Sequence, residues 1–218
     1  MTPETRGEIT VVCPEARNYL PGFPSYDDKE AFFNDSLLYR RFYAFRDTER
    51  GAQAVQDAST DISFYLQRFG KAMNVNLSET GTPMIAKYIK TTHQFARSGV
   101  STAKEKFSRQ RPYSYFKEAS LIPSDEGTVG EFASYPSGHT VRAWAITLAL
   151  VAIDDEHCSD IVKVGMEIGE SRLIAGFHYA SDVEGAKLAA SVAFAKIISD
   201  PEYIYLLEEA RRELESIR

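Results

Sequence analysis

The sequence predicts an all-α fold arranged as a single domain, and three observations predict it. Apolar residues recur at three- to five-residue spacing in one segment after another. No window alternates β-branched residues between hairpin turns, and no internal repeat or low-complexity tract breaks the pattern. The chain has 218 residues, 44% of them hydrophobic, enough to bury one core without metal or disulfide staples.

Residues 1–27 carry Pro14, Pro21, Gly22 and Pro24 among polar neighbours and read as an irregular arm, because proline removes backbone donors and fixes φ. Such an arm suits a substrate lid and a packing tail equally. Residues 28–218 read as the helical domain. Phe32, Phe33, Leu37, Leu38 and Phe42 predict its first helix over 28–45. Similar spacing predicts helices over 51–69, 83–97, 101–111, 140–153, 159–171, 182–199 and 201–217. Asp200-Pro201 places an N-cap carboxylate before a proline at the first helical position. The longest break, 113–136, holds Pro123, Ser124, Gly127 and Gly130, and loops of this length are usually functional or mobile.

A net charge of −6 and a pI near 5.3 argue against a general nucleic-acid binder, so any anion site must be local. The longest apolar run, residues 143–153, stops well short of the roughly 18 residues that span a bilayer, which argues against membrane insertion. The first residues show neither the basic start nor the apolar stretch of a signal peptide, which fits a cytosolic chain or a mature form with an added Met. Cys13 and Cys158 lack CxxC spacing, so two free thiols are expected and a zinc site is not.

Three clusters carry the chemistry. In the first, Lys104 and Arg111 are seven apart, almost two helical turns, which puts both on one face where they can converge on an anion; Pro112 should end that helix. The second, Tyr135-Pro-Ser-Gly-His-Thr140, precedes a strongly apolar helix whose free N–H groups offer an anion cradle with His139 at its rim. The third joins Ser171 and Arg172, across Gly176, to His178 and Asp182. If a helix resumes near His178, Asp182 reaches the imidazole, fixes its tautomer and leaves the other nitrogen as a nucleophile. Each cluster alone also has an ordinary reading: a solvated basic face, an N-cap with a surface histidine, and a surface i,i+4 pair. His93 and His157 sit in polar surroundings and are expected at the surface.

Taken together, Lys104, Arg111, Pro112, Pro136, Ser137, Gly138, His139, Ser171, Arg172, His178 and Asp182 match, in order and spacing, the Lys-x6-Arg-Pro, Pro-Ser-Gly-His and Ser-Arg-x5-His-x3-Asp pattern, and the chain resembles the type 2 phosphatidic acid phosphatase (PAP2) superfamily. Arg46-Asp-Thr-Glu-Arg-Gly-Ala-Gln-Ala-Val-Gln-Asp-Ala58, Ala103-Lys-Glu-Lys106 and Gly169-Glu-Ser-Arg172 are similar to segments of its class A bacterial nonspecific acid phosphatases. This resemblance runs from about residue 30 to the C-terminus. It implies the helical bundle shared by PAP2 enzymes and vanadium haloperoxidases, a periplasmic location, and a homo-oligomer, dimer or larger.

Lys104, Arg111 and Arg172 supply three positive charges against the two of a phosphate monoester, with the Ser137 hydroxyl and the Gly138 and His139 amides as neutral donors, so no metal or cofactor is expected. His178 would attack phosphorus to form a phosphohistidine, Asp182 would orient the ring, and His139 would protonate the leaving alkoxide, as the resemblance also implies. Acceptor alcohols or nucleosides could replace water. The expected substrates are soluble phosphomonoesters, with Tyr135 and Tyr113 as candidate walls of the substrate pocket. Vanadate is expected to inhibit as a transition-state mimic. Two alternatives remain at this point: a vanadium-dependent haloperoxidase using the same cradle, and a helical phosphate-binding module without turnover.

Overall fold

The computed structural model describes residues 7–218, so the first six residues of the predicted arm lie outside the described residues. The described chain is helical throughout and contains no strand. Its longer helices are α1 (Lys29–Tyr43), α2 (Glu49–Gln56), α3 (Ile62–Ala72), α4 (Pro83–Ser98), α5 (Ser101–Phe107) and, after two single turns, α6 (Pro112–Tyr115) and α7 (Pro123–Glu126), the run α8 (Gly138–Val151), α9 (Cys158–Ile174), α10 (Ala180–Ile197) and α11 (Pro201–Ser216).

Helix α8 is apolar around nearly its whole circumference, the pattern of a helix enclosed by others. It is packed by α4, α9 and α10, and α11 closes the bundle on α4. Ala143, Ile146, Ala149 and Leu150 of α8 are all fully buried. Each buried Leu or Ile side chain here contributes roughly 1.5–3 kcal/mol of transfer free energy. Close approach of α8 and α9 depends on Gly165, where an added Cβ would fall 2.0 Å from Thr147 Oγ1. The helix that carries the Ser-Gly-His motif is therefore held on three sides before any ligand is considered.

The described part of the arm is a packing element. Cys13, Ala16 and Leu20 are buried against Ala96, Val100 and Ala103 and the alanine face of α10. The Ala16 amide donates to Gly99 O at 2.7 Å, and Asp200, the N-cap of α11, accepts from Thr10 N at 2.8 Å. Cys13 and Cys158 are both free. No helix among the described residues is long and apolar enough to cross a membrane.

Two predicted helices differ from those observed. The helix expected over 51–69 is two: past α2 the Ser59 hydroxyl accepts from Asp61 N at 3.2 Å in place of a helical carbonyl, and Asp61 then caps α3 by accepting from Ser63 N at 3.1 Å. The helix expected over 101–111 ends at Phe107, where Ser108 turns left-handed at φ 43°. Lys104 and Arg111 therefore do not share a helical face. The predicted break over 113–136 contains α6 and α7.

Candidate active site

The loop that follows α7 brings together the cations that a helix was expected to align. Lys104 Nζ donates to the Ala133 carbonyl at 2.6 Å, and Arg111 Nη2 donates to the same oxygen at 3.0 Å. Arg111 is extended at φ −76° and ψ 152°, ahead of Pro112 at the first position of α6. Three further donors go to Gly130 O, Val129 O and Phe177 O at 2.8, 3.0 and 3.0 Å. Arg172, in the last turn of α9, is 1% exposed, and its Nε and Nη1 have no hydrogen-bond partner among the described residues. Its guanidinium lies 4.9 Å from the Phe177 ring centre.

At the start of α8, Ser137 is the N-cap, and its Oγ accepts from Thr140 N at 3.3 Å and Thr140 Oγ1 at 2.9 Å, leaving its own hydrogen to donate. The Gly138 and His139 amides sit in the first turn, where a helix has no internal acceptor for them. A Cβ on Gly138 would stand 3.9 Å from Lys104 Cε, which places this turn against the Lys104 side chain. His139 is half-buried, and its Nε2 is 3.0 Å from Ala58 O. That carbonyl only accepts, so Nε2 carries the hydrogen and Nδ1 is the nitrogen free to exchange a proton. Ala58 stands in the break between α2 and α3, so the feature that the periodicity missed orients one of the two histidines.

Gly176 ends α9 at φ +80°, and α10 begins at Ala180 with Tyr179 as N-cap. His178 therefore precedes the helix, and Asp182 meets it from the third helical position, with Nδ1 to Oδ2 at 3.5 Å. The other nitrogen, Nε2, lies 3.2 Å from Arg111 Nη1. A guanidinium only donates, so Nε2 must present its lone pair and Nδ1 must carry the proton toward Asp182. The tautomer of His178 is thereby fixed from both sides of the ring. Asp182 also accepts from Ser134 Oγ at 2.6 Å and Tyr179 N at 2.8 Å.

Electrostatics follow burial. Desolvation holds His178 down to about 3, with Asp182 opposing and Arg111 adding to the fall. Burial and then the Arg172 charge keep His139 well below the usual histidine range. Burial followed by Arg111 lowers Lys104 to about 7, and burial brings Arg111 and Arg172 each to about 10. Burial alone would raise Asp182, but Arg109 and His178 outweigh it and hold this carboxyl well below the usual range. The site is thus a largely buried cluster of basic side chains with two imidazoles held toward their neutral form, an arrangement suited to a multiply charged oxyanion.

Several residues behave differently from expectation. Tyr135 is 1% exposed and packs edge-on against Phe107 with ring centres 5.0 Å apart, while Tyr113 packs on Phe177 and donates to Glu126 O at 3.2 Å. Both rings pack against neighbouring aromatics, and each also lines a surface cavity, Tyr135 beside Gly22 and Gly185 and Tyr113 beside Ser114 and Glu126. His93, expected at the surface, is buried on α4, because its side of that helix faces the core. His157 is half-buried beside Asp154, 3.1 Å from its Oδ2. Sequence reasoning missed Arg109, which is wholly buried between Asp35 at 2.7 Å and Asp182 at 2.6 Å. It also gave no role to Asp57, which accepts from Ser171 Oγ and Gln53 Nε2 and ties α2 to α9.

The sequence pattern of the PAP2 superfamily matches residues 84–201. A protein of Providencia stuartii named non-specific acid phosphatase is 35% identical over 190 residues, covering 86% of this chain and 76% of its own length. One of the same name from Salmonella typhi is 31% identical over 200 residues, with coverage of 90% and 78%. An acid phosphatase of Zymomonas mobilis is 29% identical over 185 residues, with coverage of 85% and 70%.

Proposed function

Since the chain belongs to the PAP2 superfamily and, within it, to the class A bacterial nonspecific acid phosphatases, we propose that it hydrolyses soluble phosphate monoesters through a phosphohistidine on His178. The observation that carries this reading is the His178 ring, whose Nε2 lone pair is turned toward Arg111 at 3.2 Å while Nδ1 faces Asp182 at 3.5 Å. A phosphoryl group drawn in by Arg111 meets a nucleophile already oriented.

Lys104, Arg111 and Arg172 neutralise the equatorial oxygens together with the Ser137 hydroxyl and the first amides of α8, and this balance leaves no charge for a divalent cation to offset. Nε2 forms a bond to phosphorus as the bond to the leaving oxygen breaks; Asp182 stabilises the positive ring that results. His139 gives its Nδ1 proton to the departing alkoxide. In the free enzyme His139 is neutral, so the proton arrives with the substrate: a monoanionic phosphate ester binds and transfers it, or the dianion raises the His139 pKa enough to recruit one. Neutral His139 then takes a proton from water, which attacks the phosphohistidine and releases phosphate. An alcohol or nucleoside hydroxyl in the same place yields a new ester. A periplasmic location and assembly into a homo-oligomer are what the family resemblance implies and belong to the same proposal.

Brief mixing with ³²P-labelled substrate followed by an alkaline quench is expected to leave label on wild-type protein and none on His178→Ala, whose turnover is abolished. His139→Ala is expected to lose roughly 10²–10⁴-fold on alkyl phosphates, the usual contribution of a general acid, and much less on p-nitrophenyl phosphate. Equal losses on both substrates would remove His139 from that role. Vanadate is expected to inhibit competitively; bromide oxidation by the vanadate-loaded protein, with no phosphatase activity in the free form, would reverse the assignment.

A further inference from the structure

Three consecutive residues in the break between α2 and α3 reach three different helices. Asp57, at the end of α2, accepts from Ser171 Oγ on α9. Ala58 O meets His139 Nε2 on α8 at 3.0 Å, and Ser59 O accepts from the Tyr65 hydroxyl on α3 at 3.2 Å. The contact at Ala58 orients the imidazole that serves the leaving group. The contact at Asp57 is made to the residue before Arg172, one of the cations of the cradle.

Asp57 is wholly buried, and a buried carboxylate is costly unless its charge is met. Among the described residues its direct hydrogen-bond donors are neutral: Ser171 Oγ on one oxygen and Gln53 Nε2, at 2.9 Å, on the other. The cations stand back, with Arg68 Nε at 3.6 Å and Arg50 Nη1 at 3.9 Å, beyond hydrogen-bond reach. Ser171 Oγ has one hydrogen to give. Arg50 Nη1 donates to its lone pair at 2.8 Å, and of its two acceptors, the Glu167 carbonyl and the Asp57 carboxylate, the charged one takes the hydrogen. A staple between α2 and α9 would need no buried charge. A charged acceptor makes the shorter and stronger bond, and what that bond fixes is the next residue, Ala58.

We infer that Asp57 is a positioning residue for the general acid: anchored on Ser171, it holds the Ala58 carbonyl in line with His139 Nε2 and so keeps His139 Nδ1 aimed at the leaving oxygen. The inference rests on the phosphohistidine reading above and assigns the support of its acid step. With the Asp57 carboxylate removed, the end of α2 shifts, the imidazole loses its fixed anchor, and proton transfer to the departing alkoxide slows. Attack by His178, which Asp182 and Arg111 orient, is not slowed by this route. Phosphate binding responds differently. Burial and then Arg111 lower Arg172, and Asp57 is among the groups that oppose them, so losing its charge weakens the hold on the phosphoryl group by the same factor for every leaving group.

The test is kcat/KM across a series of aryl and alkyl phosphates of rising leaving-group pKa, because a fault in the acid makes the loss grow with that pKa. His139→Ala sets the steepest dependence. Asp57→Ala is expected to lose about 10²-fold on alkyl phosphates, the cost of a reacting group misplaced by about 1 Å, and no more than about tenfold on p-nitrophenyl phosphate. Asp57→Asn keeps the shape and one acceptor, so it should recover part of the alkyl loss. Ser171→Ala breaks the same bond from its other end; it should steepen the series as well, and add little when combined with Asp57→Ala. Asp57→Asn and Ser171→Ala carry the test if melting curves show that Asp57→Ala does not fold. Losses in these variants that stay constant along the series, beside losses in His139→Ala that grow, overturn the positioning role and leave the phosphatase intact. Constant losses in His139→Ala itself overturn the underlying acid step instead.

Discussion

Arg109 is a fully buried guanidinium clamped between two buried carboxylates, Asp35 and Asp182, and stacked 4.0 Å from the Tyr179 ring centre. Asp182 owes its ionised state to this partner as much as to His178. The triad therefore passes a constraint from α1, through Asp35, to the nucleophile. Arg109→Met would leave two buried carboxylates without their cation, a change that typically destabilises by about 3–5 kcal/mol. Arg109→Lys is the informative variant, because it keeps the charge and loses the planar fork that serves two carboxylates at once. It is expected to lower kcat with little change in KM and to move the acid limb of the pH profile upward, since a less firmly held Asp182 protonates at higher pH and stops orienting His178. A profile unchanged in kcat and limb would limit Arg109 to a structural role. Lys104, Arg111, Arg172, His139, His178 and Asp182 could be singled out through their joint match to the PAP2 pattern, since each cluster alone also suits an ordinary reading, and the helical interval from Lys104 to Arg111 is broken at Ser108. Arg109 was not legible, because within the run from Lys104 to Arg111 nothing marks one basic residue as buried.

At the scale of elements, the site is assembled at helix ends: the last turns of α5 and α9 and the first turns of α8 and α10. The apolar period announces such helices well and their ends poorly, because the period says which face is buried and nothing about where capping side chains take over the backbone. The stop at Asp57 is an example. Apolar spacing continues through Phe64, Leu66 and Phe69 beyond it, yet the cluster of Asp, Ser and Thr divides the helix and frees the Ala58 carbonyl for His139. The turn from 174 to 179 is the counterpart for His178. It needs Gly176 at φ +80°, and an added Cβ there would stand 2.2 Å from Arg46 Nη2. Arg46 in turn donates to Ile174 O at 2.8 Å and Ala119 O at 2.8 Å, tying the start of the turn to the segment after α6. Gly176→Ala is expected to destabilise the protein by about 1–2 kcal/mol through the left-handed backbone alone. Because the same turn sets the His178 ring, kcat should fall as well; a loss of stability with full kcat would show that the ring is positioned independently of the turn.

Across the whole molecule, the site imposes a pH dependence on folding that a bound anion should partly relieve. His93 and His178 are held at about 4 and about 3, and His139 lies well below its usual range, whereas each returns to about 6.5 in the unfolded chain. As pH falls below about 6.5, the unfolded state binds protons that the folded state refuses. Stability must therefore fall toward acid, by up to about 1.4 kcal/mol per pH unit for each histidine in that window, with about 2–4 °C of Tm for each kcal/mol. The free form is thus weakened toward acid. Phosphate at about a hundred times its Kd would return about 2.7 kcal/mol by binding the folded state alone. The pH course of that gain identifies the proton. Below the second pKa of orthophosphate, about one unit above the value near 6 of a phosphate ester, the monoanion brings the proton that His139 needs, so the Tm rise at fixed total phosphate should be nearly level. Above it the dianion must recruit a proton from solution and Lys104, held down to about 7, gives up its own, so the Tm rise should decline steeply with pH; kcat/KM for an ester should begin its decline about one unit lower, at the ester's own second pKa. Calorimetric melts from pH 5 to 8, with and without phosphate, measure both terms. A phosphate-induced rise as large at pH 8 as at pH 5 would mean that the bound anion holds no proton on His139, and the general-acid step would have to be reassigned.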